Sequence, residues 1–209
     1  MQFKKSFIRS AILENARKEF LEVGFMDATI RSIAKRANTA PSNIYNYYSN
    51  KDELFRGVLD DFLKQFSMAK AAFMEHVQND PEHDPDDDEH NEMIEQILDA
   101  VSRYREELTL LIHLSKGSSL EHFLDDLIDW YSGVYTISLY KMLEEMELEE
   151  VEIMPETTHM IAGMIISMVV TTLDKHYNRA QIKSIALELS QFFSAGWKGL
   201  VSWKIEQVN

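Results

Sequence analysis

Cysteine is absent from the 209-residue sequence, and its absence removes several kinds of chemistry at once. Without a thiol the chain can form no disulfide, no thiolate zinc site and no cysteine nucleophile. A cysteine-free chain suits a reducing compartment, and we expect a cytoplasmic location. The first twenty residues carry charges throughout, so they lack the apolar centre of a secretory signal.

Proline and glycine are also scarce, with four and seven residues. So few helix breakers favour long helices, and no segment alternates apolar and polar residues for long enough to predict a strand. Apolar residues make up 45% of the chain, which is enough for a hydrophobic core. We therefore predict an all-α fold.

The net charge of −14 is divided unevenly along the chain. Residues 1–56 hold ten lysines and arginines against six acids, whereas the other 153 residues hold eleven against 29. A basic N-terminal segment on an acidic remainder is expected when only one end of a protein meets phosphate. The same distribution also fits an acidic soluble protein with a mildly basic end, so charge alone does not decide the function.

Apolar periodicity predicts four helices in the basic segment and just beyond it. Gly24 and Asn38 tolerate the left-handed backbone and are predicted to end the first and second helices. Pro41 suits the first position of the third helix. Asn50 is predicted to cap the fourth, with Glu53 reaching back to complete a capping box. The predicted helices cover residues 6–23, 29–37 and 41–47, and the fourth begins after residue 50.

The third helix is too short to be stable in water by itself, so packing must hold it in place. Ile44 is its predicted buried anchor, and Tyr48 is predicted to pack at its end. Its outward face carries amides, a hydroxyl and an aromatic ring, which suit the edges of bases in a DNA major groove. The predicted outward residues are Ser42, Asn43, Tyr45 and Asn46.

An acidic segment interrupts the helical pattern at residues 79–92, which read NDPEHDPDDDEHNE. Its two prolines and eight acids predict a solvated loop. The histidines His76, His83 and His90 raise the alternative of a weak cation site, but they lack the spacing of a dedicated metal site. We predict no metal and leave the weak cation site as an open alternative.

Two long helices are predicted at the C-terminal end, over residues 156–176 and 179–205. The run Thr157–Leu173 is almost uncharged, but its 17 residues are short for a membrane span. We predict instead that these helices form a homodimer interface; packing within a monomer is the alternative. The predicted interface residues are Met160, Gly163, Met164, Phe192, Phe193, Trp197 and Leu200.

The stretch from Ala28 to Leu54 reads ATIRSIAKRANTAPSNIYNYYSNKDEL. It closely resembles the helix-turn-helix signature of the tetracycline-repressor-like (TetR) family of transcription regulators. With the preceding helix, the resemblance covers residues 6–56. The matching positions are Thr29, Ile33, Ala34, Ala37, Ile44, Tyr45, Tyr47, Tyr48, Lys51 and Leu54.

Three positions depart from the family pattern. Asn38 stands where the family usually has glycine, and Asn46 where it often has histidine; both exchanges preserve the local role, since asparagine tolerates the left-handed turn and can read adenine. Ala40 stands where the family usually has serine at the cap of the third helix. We expect the missing cap to cost about 1 kcal/mol of helix stability.

The resemblance implies a helix-turn-helix DNA-binding domain at residues 1–50 and a larger helical effector-binding and dimerisation domain at residues 51–209. It implies a ligand-responsive repressor, without a cofactor, that binds a palindromic double-stranded operator as a homodimer. The implied DNA-binding residues are Thr29, Arg31, Ser42, Asn43, Tyr45, Asn46, Tyr47 and Lys51.

The resemblance also implies a small-molecule pocket in the middle helices, with an apolar or aromatic effector. Residue types suggest its lining, although such residues at helical spacing often belong to the core instead. The candidates are Tyr104, His113, Trp130, Tyr135, Met164 and Met168.

Two other classes of function were weighed against this one. A helical ligand-sensing dimer that does not bind DNA would keep the C-terminal helices and lose the contacts of the third. An all-α enzyme would need a catalytic constellation, but the sequence has no glycine-rich phosphate loop, no HExxH pair and no nucleophile elbow. We therefore predict that the protein is not an enzyme.

Overall fold

The computed structural model describes residues 2–79, 88–148, 151–175 and 177–208. These residues form α-helices joined by turns and contain no strand, as the sequence predicts. The helices are α1 (Gln2–Asp27), α2 (Ile30–Arg36), α3 (Pro41–Tyr45), α4 (Lys51–Asn79), α5 (Asp88–Arg103), α6 (Arg105–His113), α7 (Phe123–Glu145), α8 (Pro155–Lys175) and α9 (Arg179–Val208).

The chain divides into two compact units that differ from the predicted functional division at residue 50. The head unit comprises Met1–Met68 and Tyr104–Leu124, and the body unit comprises Ala69–Arg103 and Asp125–Asn209. Helix α4 begins in the head unit and ends in the body unit. The division at residue 50 therefore remains a prediction about function.

Aromatic rings form the centre of the head unit. The ring of Phe20 meets that of Phe55 edge-on, with centroids 5.0 Å apart, and Phe25 meets Phe55 at 5.2 Å. Phe25 can turn into this cluster because Gly24 has a φ of 75°, which bends the chain at the predicted end of the first helix. The bend is fixed by the backbone N–H of Phe25, which donates to the carbonyl of Leu114 at 2.8 Å.

Arg17 of α1 joins three elements of the head unit. Its guanidinium pairs with the nearly buried carboxylate of Glu107 on α6 and donates to the carbonyl of Val58 at 3.1 Å. A buried carboxylate needs such a partner, because an unpaired charge in the interior is costly.

The first turn of α4 is tied down by three side chains. Asn50 accepts a hydrogen bond from the backbone N–H of Glu53 at 2.8 Å. The Glu53 carboxylate accepts from the backbone N–H and the hydroxyl of Ser49, one residue earlier than predicted, and these bonds lower the Glu53 pKa. Asp52 accepts from the N–H and the hydroxyl of Ser119, each at 2.7 Å.

Two apolar clusters hold the body unit together. One joins Ile94 and Leu98 of α5 to Ile182 of α9. On the surface above it, Arg179 of α9 pairs with Glu95 of α5 at 2.5 Å. The second cluster joins α7, the segment before α8, and α9 through Leu139, Leu143, Val151, Ile153 and Val201.

Several predicted boundaries differ from the structure. Tyr104 separates α5 from α6 at a break that periodicity does not reveal. Helix α5 begins at Asp88, within the predicted acidic loop. Residues 80–87, including the proposed cation ligand His83, lie outside the described residues.

Helix α8 is longer than its uncharged run. At 21 residues it passes the length and composition test for a membrane span, although such a test also selects core helices of soluble proteins. Only 28% of its most apolar 18-residue window is buried. Much of the apolar surface of α8 is thus exposed in the single chain.

Candidate DNA-binding surface and apolar cavity

Helix α3 is mounted on α2 through a tight turn. Asn38 has a φ of 49°, as its residue type predicts, and the N–H of Thr39 donates back to the carbonyl of Ala34 at 2.9 Å. Ile44 is fully buried and anchors α3 from below. Ala40 provides no side-chain cap, in agreement with the predicted loss of the cap bond.

A glycine on α4 makes room for the residue that follows α3. Tyr48 is only 5% exposed, and a Cβ atom at Gly57 would lie 2.8 Å from its Cε1. Only glycine permits the ring to lie so close to the α4 backbone. Gly57 is a positioning residue that sequence reasoning missed, because a glycine inside a helical pattern gives no indication of which ring will cover it.

The outward face of α3 carries the predicted polar side chains. Ser42, Asn43 and Asn46 are exposed, and Tyr45 exposes 55% of its surface. The Asn43 amide nitrogen donates to the Thr39 hydroxyl at 2.8 Å, which orients the carboxamide. Because Ile44 fixes the helix and these neighbours point away from it, the structure brings four predicted DNA-binding residues onto one surface.

The start of α2 provides a second part of this surface. Thr29 caps the helix: its hydroxyl accepts from the N–H of Ser32 at 3.0 Å, and the Ser32 hydroxyl accepts from the N–H of Thr29 at 3.2 Å. Arg31 is exposed in the same turn. By contrast, Arg36 pairs with Glu19 at 3.0 Å and with Glu22, so its charge is balanced within the head unit.

Lys51 does not have the environment predicted for a phosphate contact. Its ammonium donates to the carbonyls of Phe25 at 2.5 Å, Met26 at 3.2 Å and Ala28 at 2.8 Å. It also lies 4.3 Å from the centre of the Phe25 ring, and burial lowers its pKa. Three carbonyls use all three N–H donors, so this geometry favours a structural role over DNA contact. Tyr47, the remaining predicted contact, is half-buried.

The body unit contains an apolar cavity of about 290 Å³, lined by side chains from α4, α5, α7, α8 and α9. Two of the six predicted pocket residues, Tyr135 and Met168, line it. Among residues that the sequence did not single out are Phe73, Ile94, Leu98, Tyr131, Ser194 and Lys198.

Four predicted pocket residues lie elsewhere. Tyr104 and His113 belong to the head unit, where the Tyr104 hydroxyl donates to Asp61 at 3.2 Å. Trp130 lies under the ammonium of Lys70, 4.8 Å from the ring centre, and is not part of the lining. Met164 is 54% exposed. Residue type indicated apolar positions here, but not the direction of each side chain.

The polar groups of the cavity lie among aromatic rings. Tyr131 contacts Tyr135 with centroids 5.2 Å apart, and Tyr135 stacks on Trp197 at 5.8 Å. Burial raises the pKa of both tyrosines, so their hydroxyls stay neutral at physiological pH. The Trp197 Nε1–H is buried and makes no hydrogen bond of good geometry among the described residues, although it interacts with the Tyr135 hydroxyl.

The C-terminal helices also carry apolar side chains on the surface of the chain. Met160 and Met164 of α8, and Phe192 and Trp203 of α9, are each more than half exposed. We call these four residues the apolar strips. Next to them, Gly163, Gly196 and Gly199 have open space above their backbone.

Three predicted interface residues point inward instead. Phe193 and Trp197 line the cavity, and Leu200 packs against the second body cluster. They lie about 100° around the α9 axis from Phe192 and Trp203, so neighbouring faces of this helix serve two surfaces.

Comparison with known proteins follows the same division of the chain. The sequence profile of the family described as bacterial regulatory proteins, tetR family, matches residues 12–58, which contain the helix-turn-helix. Residues 12–58 are thus similar to the DNA-binding segment of that family. An uncharacterized HTH-type transcriptional regulator, YhgD of Bacillus subtilis, is 34% identical to this chain over 67 residues. The match spans 32% of the chain and 35% of that protein's length.

Solved structures resemble almost the whole chain. A TetR-family regulator from Syntrophomonas wolfei aligns over 91% of this chain and 96% of its own, with a TM-score of 0.59 and 17% identity. FadR from Bacillus subtilis aligns over 87% of this chain and 96% of its own, with a TM-score of 0.57 and 19% identity. NalD from Pseudomonas aeruginosa aligns over 89% of this chain and 96% of its own, with a TM-score of 0.55 and 17% identity. These likenesses show the fold.

Proposed function

We propose that this chain is a ligand-responsive transcriptional repressor of the tetR family that binds a palindromic operator as a homodimer. The observation that carries the proposal is the mounting of α3. Its polar outward face is exposed, while Ile44 and Tyr48 are buried and hold it in position. A preorganised helix of amides, hydroxyls and one exposed tyrosine suits readout of base edges in a major groove.

The contacts that we propose divide into two kinds. Ser42, Asn43, Tyr45 and Asn46 of α3 face bases and nearby phosphates, because they share the exposed side. Thr29, Arg31 and Tyr47 contact the backbone, where they set register without reading sequence. Lys51 supports this surface from inside through its three carbonyl contacts.

The apolar strips support the dimer. One α3 helix reads only a few base pairs, and specific binding of this kind usually needs two at a spacing of about 34 Å or a multiple of it. Exposed methionine and aromatic side chains beside open glycines are costly in water and allow close approach of a second pair of helices. We assign Met160, Gly163, Met164 and Phe192 to the interface and add Trp203, Gly196 and Gly199.

The cavity supports the response to a ligand. Among the fold relatives, NalD is named the secondary repressor of the MexAB-OprM multidrug efflux pump, and FadR was solved in complex with stearoyl-CoA. In this chain the cavity walls include Phe73 and Val77 near the end of α4, whose first turn lies in the head unit. A ligand that prefers one position of α4 would shift the population of DNA-competent dimers.

Selection of genomic fragments by the purified full-length protein tests the proposal. We expect enrichment of a two-fold symmetric sequence and a symmetric footprint, with protein sedimenting as a dimer. Tyr45→Ala should weaken binding to that sequence about tenfold or more. Tyr140→Ala removes a similarly exposed tyrosine from α7 and serves as the matched control. A monomeric protein, or selection without sequence preference at low salt, would overturn the proposal.

A further inference from the structure

The charges around the cavity restrict what it can hold. Residues 57–209 carry 29 acids against eleven lysines and arginines, yet among the residues that the structure describes no carboxylate lines the cavity. Its lining includes one lysine, Lys198, and one histidine, His76. A cationic ligand that moved from water into the cavity would find no opposite charge there. An anionic group would meet the Lys198 ammonium, which makes no ion pair among the described residues.

The cavity follows α9 for most of the length of that helix. Its lining takes residues from one face, at intervals of three and four, between Ile182 and Lys198. At 1.5 Å per residue these two positions are about 24 Å apart along the helix. Lining residues spread over this length of one helix face describe an elongated channel rather than a round chamber.

The two ends of the channel differ in chemistry. At one end Ile182 packs with Ile94 and Leu98 in an apolar cluster. At the other end Lys198 is exposed, and next to it the buried Nε1–H of Trp197 makes no hydrogen bond of good geometry, although it interacts with the hydroxyl of Tyr135. A buried donor without a well-formed hydrogen bond is costly, and an acceptor on a ligand would satisfy it.

We propose that the channel binds an unbranched aliphatic amphiphile with one anionic head. The head accepts hydrogen bonds from Trp197 Nε1 and Lys198 Nζ, and the tail extends toward Ile94, Leu98 and Ile182. The length and volume of the channel set the longest tail that binds well. The proposal rests on the proposed function only in taking this cavity as the effector site.

A series of saturated carboxylates from octanoate to hexadecanoate, titrated calorimetrically into the DNA-free protein, tests the tail. We expect affinity to rise about fourfold for each added methylene until the channel is filled. Ala186→Phe places a ring four residues from Ile182, near the apolar end of the channel, and should shorten the best-bound chain, with thermal melting to verify folding. Affinity that does not depend on chain length, or no binding of any member, would overturn the proposal.

Pairs of probes with the same tail test the head. Dodecanoate should bind more tightly than dodecanol, and dodecyltrimethylammonium should bind least. Lys198→Gln and Trp197→Phe should each weaken dodecanoate binding about three- to tenfold while leaving dodecanol nearly unchanged. Lys175→Gln, on an exposed lysine of α8, is the matched control. Equal binding of the cationic and anionic probes would contradict the proposal.

An acyl chain with an anionic head occurs both as a free carboxylate and as a coenzyme A thioester. We therefore include a titration of dodecanoyl-CoA beside that of dodecanoate. Tighter binding of either one supports the proposal and identifies the source. Because these titrations contain no DNA, failure of operator selection leaves their result intact. Release of a selected operator by dodecanoate then tests the two proposals together.

Discussion

The head unit and the body unit use their buried volume in different ways. In the head, Phe20, Phe55 and Ile44 are fully buried, and the Lys51 ammonium donates to three carbonyls. In the body, a channel lies between five helices, and Met160 and Phe192 remain exposed. Eight of the eleven methionines belong to the body unit, where their flexible side chains fit irregular walls.

This difference separates two physical requirements in one chain. A surface that reads base edges gains specificity when it has a single arrangement, because a misplaced donor loses its acceptor. A channel for an apolar tail gains little from a single arrangement, since burial depends on area rather than direction. We therefore expect the head to resist substitution more strongly than the body at positions of equal exposure.

The largest expected effect comes from removing the anchor of α3. Ile44→Ala should lower the free energy of unfolding by about 2–5 kcal/mol, because it leaves a cavity beneath the DNA-binding surface. Urea denaturation measures the loss. Ile137→Ala on α7, where the isoleucine is 41% exposed, is the control and should cost less than about 1 kcal/mol. Equal losses would remove the contrast between the units.

Replacing Lys51 separates its structural role from a phosphate contact. Lys51→Met should cost about 1–3 kcal/mol of unfolding free energy, because three carbonyls lose a charged donor. The slope of log affinity for DNA against log salt should stay unchanged in the folded fraction. A slope reduced by about 0.9 would show that Lys51 binds a phosphate after all.

The two glycines Gly57 and Gly133 should respond to alanine with opposite signs. Gly57→Ala drives a Cβ into the buried Tyr48 ring and should cost about 1–3 kcal/mol, offset in part by better helix propensity. Gly133→Ala meets open space on α7 and should gain about 0.5–1 kcal/mol. Thermal melting of both variants gives the comparison, and destabilisation by both would contradict it.

The smallest expected effect concerns the cap of α4. Hydrogen bonds from Ser49 hold the Glu53 pKa below 4.5 in the folded chain, so the carboxylate stabilises the fold at neutral pH. That contribution should be fully present above pH 4.5 and should fade as the pH falls through the lowered pKa. Glu53→Gln should abolish this pH dependence, whereas Glu75→Gln, on an exposed acid of α4, should not. Urea denaturation between pH 3 and pH 7 measures both.

Local chemistry was sufficient to predict the parts of the fold that depend on a few adjacent residues. The left-handed backbone at Gly24 and Asn38, the missing cap at Ala40 and the burial of Ile44 all follow from residue type and spacing. The bounds of α8 and α9 differ from prediction by three residues or fewer, because long periodic helices between clear breaks leave little choice.

Features that depend on distant residues could not be predicted in this way. Lys51 bonds carbonyls 23 to 26 positions earlier, and the sequence does not show which backbone atoms will face it. Gly57 is explained only by the ring of Tyr48. In the body, the same apolar residue types line the channel, form the core and lie on the surface. Periodicity therefore could not show that Trp197 lines the channel and that Met164 is exposed.

The first turn of α4 has a consequence for how the DNA-binding surface is aimed. Three consecutive side chains attach this turn to other parts of the head unit: Lys51 to the end of α1, Asp52 to Ser119, and Glu53 to Ser49 just after α3. A small axial shift or rotation of α4 would therefore move both the segment between α1 and α2 and the segment that follows α3. The turn thus couples the position of α4 to the orientation of α3. A displacement of α4 by a fraction of a helical turn would reorient Tyr45, the last residue of α3, without unfolding either helix.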